Sequence, residues 1–275
     1  MDTKLTELIT ILRSMQSAVL AYSGGVDSTF LLKALQNSGI RTLAVTSASE
    51  ITPPSDLRMA NEMTAEMEIE HRMIETDAML KEEFLQNTPE RCFFCKDELF
   101  KKLAAITSSE GYTFLLDGSN VDDTMDYRPG IRAASKYHVR SPLMEARLSK
   151  KEIRELSRQL DLSTWDRPSS PCLVTRFPYG RRITKGAIER VGKAEDFLRG
   201  LGFREVRVRV HDEIARIEVD EEEIGPLLTS ERRSLISEKL KSLGYRFVSL
   251  DLDGYRTGSM NRALEKEHLL EEKYD

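Results

Sequence analysis

The sequence holds little of what marks a membrane-bound or disulfide-stapled protein. Among its 275 residues are only three cysteines, one tryptophan and four histidines. An odd, small set of cysteines argues against a disulfide framework. No apolar run approaches the roughly 20 residues that a bilayer-crossing helix needs, and the longest clean runs are as short as residues 18–22. The first sixteen residues scatter charge through an amphipathic stretch and lack the basic-then-apolar order of a secretory signal. The expected location is therefore the cytoplasm, with no membrane partner. Positive charge is not in excess either: 41 Lys and Arg face 46 Asp and Glu, for a net charge of −5. That excludes a protein that coats polyanions through a broad positive field and argues against nucleic acid as the partner. A local basic site for a small phosphorylated ligand remains open. Internal repeats and low-complexity tracts are absent.

What is present is alternation. From residue 18 short apolar strands alternate with amphipathic helices: strands at 18–22, 42–46, 71–75 and 113–117, and helices between them, one spanning about 55–70. Pro53 and Pro54 signal the start of that helix, with Ser55 or Asp56 as its cap. Such alternation predicts a parallel sheet covered on both faces, an α/β fold. Asp117-Gly118 falls at a strand's carboxyl end, where open α/β sheets bind ligands. From about residue 184 the pattern changes to a helix (185–199), two alternating strands (205–210 and 215–219), an acidic helix start, another helix and a last strand at 247–250. This second region reads as a smaller α+β domain. The boundary falls within 169–184, giving domains of 1–170 and 171–275. The charged tail from Arg262 reads as helical.

Between the first strand and first helix lies Ser23-Gly24-Gly25-Val26-Asp27-Ser28. Two adjacent glycines let backbone approach a phosphate with no Cβ between, and a following helix aims N–H groups and its positive dipole end at the anion. Ser23 and Ser28 add hydroxyl donors, and Asp27 can orient the loop or help hold Mg²⁺. A Walker lysine is missing, and no G-x-G-x-x-G occurs, which disfavours a kinase-type P-loop and a dinucleotide fold. The plain alternative is a Gly-Gly turn with a helix cap. At this point the chain resembles the PP-loop ATP pyrophosphatase superfamily (adenine nucleotide alpha hydrolase-like), whose signature is S-G-G-x-D-S. The resemblance implies ATP binding, transfer of AMP to a substrate oxygen and release of pyrophosphate.

The cysteines lie in Arg91-Cys92-Phe93-Phe94-Cys95-Lys96 and in Pro171-Cys172-Leu173-Val174-Thr175-Arg176-Phe177-Pro178-Tyr179-Gly180. Nearby cations lower a thiol's pKa and make it a better nucleophile: Arg176 for Cys172, Arg91 and Lys96 for the pair. Alternatives are that Cys172 is a small buried hydrophobe, or that Cys92 and Cys95 form half of a zinc site. Together with the Ser23 loop, the Gly118-Ser119-Asn120-Val121-Asp122-Asp123 segment and the Gly-flanked stretch at 254–261, these segments resemble the LarE family of sulfur transferases along essentially the whole chain.

That resemblance implies an ATP- and Mg²⁺-dependent sulfur transferase acting on pyridinium-3,5-biscarboxylic acid mononucleotide, in the biosynthesis of the nickel-pincer cofactor. It further implies a homo-oligomer, hexamers being known in the family, a nickel-inserting enzyme downstream, and a C-terminal domain for substrate and oligomerisation. Single-cysteine members sacrifice the thiol matching Cys172. Three-cysteine members hold a [4Fe-4S] cluster with one iron unligated, and this sequence has that pattern in Cys92, Cys95 and Cys172.

Asn120, Asp122 and Asp123 follow a strand end, either contacting nucleotide or Mg²⁺ or forming an Asx-rich helix cap. Arg207 and Arg209 alternate on one strand, so both guanidinium groups share a face. In the resembling family such an R-x-R strand binds a substrate phosphate, with Arg256 a further candidate; the alternative is a solvated face paired with Glu205 or Glu218. His71, His138, His211 and His268 show no metal-ligand spacing, and Trp165 reads as packing. Rival functions are a PP-loop tRNA thiolase, which the acidic composition opposes, and a non-catalytic nucleotide-binding module stabilised by zinc.

Overall fold

The computed structural model describes residues 3–125 and 129–256. The expected C-terminal helix from Arg262, His268 and residues 257–261 of the Gly-flanked stretch lie outside the described residues. Two compact units divide the chain, Met1–Ser170 and Pro171–Asp275. Among the described residues, no helix is long and apolar enough to cross a membrane.

In the first unit, α1 (Thr3–Arg13) precedes β1 (Ser17–Ala21), α2 (Val26–Ser38), β2 (Arg41–Ser47), α3 (Pro54–Glu66) and β3 (Glu70–Ile74). Then come α4 (Glu82–Leu85), α5 (Arg91–Ser109), β4 (Phe114–Leu116), α6 (Gly130–Lys136), α7 (Pro142–Glu145) and α8 (Lys150–Gln159). The strands form one parallel sheet in the order β3-β2-β1-β4. β1 sits inside it, and its SAVLA sequence is buried on both faces, as a doubly covered parallel strand requires. Ala18 and Leu20 point to one core with Leu5, Leu8, Leu12, Phe30 and Leu35. Val19 points to the other, with Leu43, Val45, Phe100 and Leu103. Leu5, Leu8 and Leu12 follow helical spacing, so α1 turns a single apolar stripe to the sheet.

α3 departs from expectation at both ends. Pro53 is its N-cap and Pro54 occupies the first turn, where a missing N–H costs nothing; neither Ser55 nor Asp56 caps it. It ends at Glu66 rather than residue 70, because Glu68 adopts a left-handed φ of 52° and Glu70 is already paired in β3.

The second unit contains α9 (Lys185–Gly200), β5 (Val206–His211), β6 (Ile214–Val219), α10 (Glu221–Leu227), α11 (Ser230–Ser242) and β7 (Phe247–Leu250). β5 and β6 form an antiparallel hairpin across Asp212-Glu213, and β7 joins parallel to β6. One face of this sheet is apolar: Val206, Val208, Ala215, Ile217 and Val219 pack on Ala194 and Leu198 of α9 and on Ile236 and Leu240 of α11. The opposite face carries Arg207, Arg209, Arg216 and Glu218. Period-two alternation thus separates an oily layer from a charged one.

Leu20 is fully buried at the centre of the sheet. Leu20→Ala should lower unfolding free energy by about 2–5 kcal/mol through lost burial and a cavity. The urea midpoint should fall at an unchanged m-value; a shift below about 1 kcal/mol would contradict that central place.

Candidate active site

Strands β1 to β3 step across the sheet one way and β4 lies on the other side of β1, so the winding reverses between β1 and β4. The crevice beyond their carboxyl ends is where doubly wound sheets take ligands. The Ser23 loop leaves β1 there, and the Asp117–Asp123 stretch leaves β4. The two stretches touch: a Cβ on Gly118 would lie 3.1 Å from Ser28 Cα and N. Only a glycine lets the exit of β4 come this close to the start of α2.

Gly24 has φ +70, and a Cβ there would lie 3.0 Å from the Asp56 carbonyl oxygen and 3.2 Å from Ala60 N. Backbone handedness and steric space both demand glycine. Gly25 caps α2 and has no side chain to satisfy the first helical N–H groups. Ser23 Oγ lies 3.0 Å from Ser28 Oγ and accepts from Gly25 N at 3.4 Å, while Ser28 Oγ donates to the Gly25 carbonyl at 3.2 Å. The result is a small hydroxyl-lined cradle at the positive end of a helix, suited to an anion. Asp27 is half-buried in the first turn of that helix.

Across the crevice, Asp117 accepts from Ser119 N and Oγ and from Ser141 Oγ at 2.7 Å. Asn120 Oδ1 accepts from Asp122 N at 3.0 Å, and Asp123 Oδ2 accepts from Asn120 N at 3.1 Å. Asp122 Oδ2 accepts from Lys150 N at 2.6 Å, and Lys150 Nζ sits 3.2 Å from Asp123 Oδ1. The two aspartates therefore have structural work in an Asx-type turn. One group is left over: the Asn120 Nδ2 amide is buried with no hydrogen-bond partner among the described residues. A buried donor without an acceptor costs about 1–3 kcal/mol, a cost that a ligand oxygen would remove.

A stretch that the sequence did not single out braces the cradle from behind. Arg167 Nη1 donates to the Gly24 carbonyl at 2.8 Å, and Nη2 donates to Asp56 Oδ1 at 2.7 Å. Ser170 Oγ adds a bond to the same Asp56 oxygen at 3.1 Å. Arg154 in turn holds the carbonyls of Trp165 and Arg167. Tyr22, next to the loop, bonds Thr29 Oγ1 at 3.1 Å, and burial pushes its phenol up to about 12, so it stays protonated.

Cys92 and Cys95 occupy the first turns of α5, three residues apart and so on one face. Neither is in a disulfide; Cys92 is exposed and Cys95 half-buried. Arg91 is buried and donates to Asn87 Oδ1. Cys172 is half-buried in the second unit, where it caps a 3₁₀ turn over Leu173–Arg176.

That turn is held by charge. Arg176, fully buried, grips both oxygens of Glu195 at 2.7 and 2.9 Å and also donates to the carbonyls of Pro171 and Cys172. Burial opposes the guanidinium's charge, but Glu195 more than offsets this and raises its pKa. Burial likewise works against the Glu195 carboxylate, and Arg176 outweighs it, leaving Glu195 below its ordinary value. Glu195 also accepts from Val208 N and Arg199. Beside this pair, Arg209 bonds Glu218 and the Thr175 carbonyl, and Arg207 bonds Glu205. Arg207 also lies 4.8 Å over the Tyr255 ring. Burial and then the neighbouring Arg176 lower the Arg207 pKa. Each buried guanidinium group thus has a carboxylate: Arg176 with Glu195, Arg209 with Glu218, and Arg207 with Glu205 at the rim. Arg256 is exposed, 3.8 Å from Asp253.

The structure therefore brings Ser23, Gly24, Gly25, Asp27 and Ser28 to one edge of the sheet with Asn120 and Asp122. It puts Cys172 in the same unit as Arg207 and Arg209, on the turn whose Thr175 carbonyl Arg209 holds. Arg207 and Arg209 do share a face, buried rather than solvated. Within neither unit do three or more His, Cys, Asp or Glu side chains gather as a metal site, among the described residues. Arg176 and Glu195 carry the local order around Cys172, which the helix sequence of α9 does not signal.

No family model matches the chain. It is 40% identical over 267 residues to an uncharacterized protein of Synechocystis, covering 97% of this chain and all of that one. It is 38% identical over 269 residues to the pyridinium-3,5-bisthiocarboxylic acid mononucleotide synthase of Lactiplantibacillus plantarum, covering 97% of each. An uncharacterized protein of Methanocaldococcus jannaschii is 30% identical over 239 residues, 87% of this chain and 90% of that one.

Glu195→Gln leaves Arg176 buried beside a neutral partner and should destabilise the protein by about 3–5 kcal/mol. The sign with pH follows from the lowered Glu195 pKa. Its contribution is present above the ordinary value of 4.5 and is lost as pH falls toward the folded-state value. Denaturation midpoints measured from pH 7 to pH 3 should fall less steeply for the variant; parallel curves would refute the pairing.

Proposed function

The chain belongs to the LarE family, and from that premise we propose that it is an ATP-dependent sulfur transferase that converts pyridinium-3,5-biscarboxylic acid mononucleotide toward the bisthiocarboxylic product. The observation that carries the reading is the lysine-free anion cradle at the sheet's switch point, where Gly24, Gly25 and the start of α2 meet the turn bearing Asn120. ATP, with its Mg²⁺, enters as substrate. The cradle of Ser23, Gly24, Gly25 and Ser28 holds the triphosphate, with the start of α2 supplying N–H donors and a dipole contribution of about 0.3–1 kcal/mol, up to about 2 when partly buried. Asn120 Nδ2 gains the acceptor it lacks. Asp27 and Asp122 border the same edge and orient the loop and the turn.

The chemistry balances simply. A carboxylate oxygen of the substrate attacks the α-phosphorus, the bond to the β-phosphate oxygen breaks, and pyrophosphate leaves. The acyl carbon now carries AMP, a far better leaving group than oxide. A sulfur nucleophile adds to that carbon and AMP departs with the original oxygen. Arg207 and Arg209, with Arg256, hold the substrate's phosphate; bidentate guanidinium geometry suits that task.

Cys92, Cys95 and Cys172 would hold a [4Fe-4S] cluster. The donor chemistry fits, since all three are reduced thiols outside any disulfide and none is fully buried. When bound, such a group supplies a sulfide at the iron that no protein thiolate ligates. The chain's own part is to keep Cys172 fixed by its main chain, through Arg176, while leaving its side chain accessible.

Anaerobically purified protein should release AMP and pyrophosphate in equal amounts, and only when the pyridinium mononucleotide is present. It should be brown, contain iron and sulfide, and keep its intact mass after turnover. A colourless protein that loses the mass of H₂S would replace the cluster with sacrifice of Cys172. Firm binding of bulk tRNA at moderate salt would favour a tRNA thiolase instead. Zinc without AMP formation would overturn the enzymatic reading altogether.

A further inference from the structure

The carbonyl of Gly24 has an unusual holder. It accepts from Arg167, 143 residues away in sequence, and the same guanidinium is locked to the buried Asp56 carboxylate. Ser170 fixes that carboxylate again, and Arg154 fixes the main chain of Arg167 itself. Gly24 presses on the first turns of α3 at the Asp56 carbonyl, with no room for even a methyl group.

The peptide unit between Gly24 and Gly25 is planar and trans, so its carbonyl and its N–H point in opposite directions. Anchoring the carbonyl on Arg167 therefore aims the Gly25 N–H away from Arg167, and it is found toward Ser23 Oγ at 3.4 Å. Glycine on both sides makes this peptide the easiest in the loop to rotate. A rotation would turn a carbonyl oxygen toward the anion in place of a donor, exchanging attraction for repulsion. An unbraced Gly-Gly unit would visit both orientations.

We propose that Arg167 is a positioning residue of the anion cradle: by holding the Gly24 carbonyl against the Asp56 carboxylate it fixes the peptide plane that presents Gly25 N–H to the phosphates. It does not itself touch the nucleotide. Asp56 and Ser170 serve to hold Arg167 in place. The inference rests on the reading of the Ser23 loop as the triphosphate site.

Binding of ATP and of inorganic pyrophosphate to the full-length protein, measured by calorimetry, tests this with two variants. Arg167→Met should weaken both ligands about tenfold or more. Arg167→Lys keeps the charge but cannot hold both acceptors with a planar fork, and it should recover only part of the affinity. In turnover the defect should fall on KM for ATP, leaving KM for the carboxylate substrate as in the wild type. A variant that is merely less folded would lower kcat and leave both KM values alone. Unchanged affinity in Arg167→Met overturns the proposal, and so does full affinity in Arg167→Lys, which would reduce Arg167 to a remote positive charge. If the wild type binds neither ATP nor pyrophosphate, the phosphate-site reading itself fails, which is distinguishable because the variants then have nothing to lose.

Discussion

A protein backbone can offer an anion a set of N–H groups only where side chains and carbonyls are both kept out of the way. On the function proposed above, the crevice edge of the first unit is a solution to that constraint. The parallel sheet provides a reversal point between β1 and β4, so two loops diverge and leave a crevice. Gly24 and Gly118 then remove Cβ atoms where α3 and α2 press closest. Removing side chains creates its own difficulty, because a Gly-Gly peptide has no preferred orientation. The contact of Arg167 with the Gly24 carbonyl restores the preference from outside the loop. Conformational freedom and conformational control are thus divided between distant parts of the sequence.

The second unit deals with the opposite sign by a different device. Its sheet buries guanidinium groups, an expensive arrangement unless each is paired and hydrogen-bonded. Arg176 and Glu195 satisfy one another almost completely, with main-chain groups taking up the rest. Replacement of such a pair by apolar residues of equal volume is often neutral or stabilising, so stability alone gives little reason to keep it. Placement gives a better one. The pair ties α9, β5 and the turn bearing Cys172 together, and Arg209 ties the Thr175 carbonyl to Glu218 on β6.

The elements legible in the sequence are those set by local pattern. β1, β2, the Gly-Gly turn and the alternation of β5 and β6 all follow from residues within a few positions of each other. Arg207 and Arg209 on one face follow from period two alone. The end of α3 was less legible, because pairing of Glu70 with Leu43 competes with helix continuation. Arg167 gives no local signal at all: it stands between prolines and polar residues in what reads as a linker. Its partners are 143 and 111 residues away. The burial of the R-x-R face was equally hidden, since the lid over it, Thr175 and Arg176, comes from before α9 and Tyr255 from after β7.

The cysteines show why spacing and setting have to be read together. A C-x-x-C pair on a helix start puts two thiols on one face by helical geometry alone, with no further support needed. Cys172 has no such neighbour, and its position is fixed instead through its carbonyl, which accepts from Thr175 N, Thr175 Oγ1 and Arg176. Hydrogen bonds to the main chain leave the sulfur uncommitted while removing backbone freedom. The bonds that hold the turn at Cys172 thus run through its carbonyl. Glu195 grips Arg176 through Nε and Nη2, which leaves Nη1 to hold the carbonyls of Pro171 and Cys172.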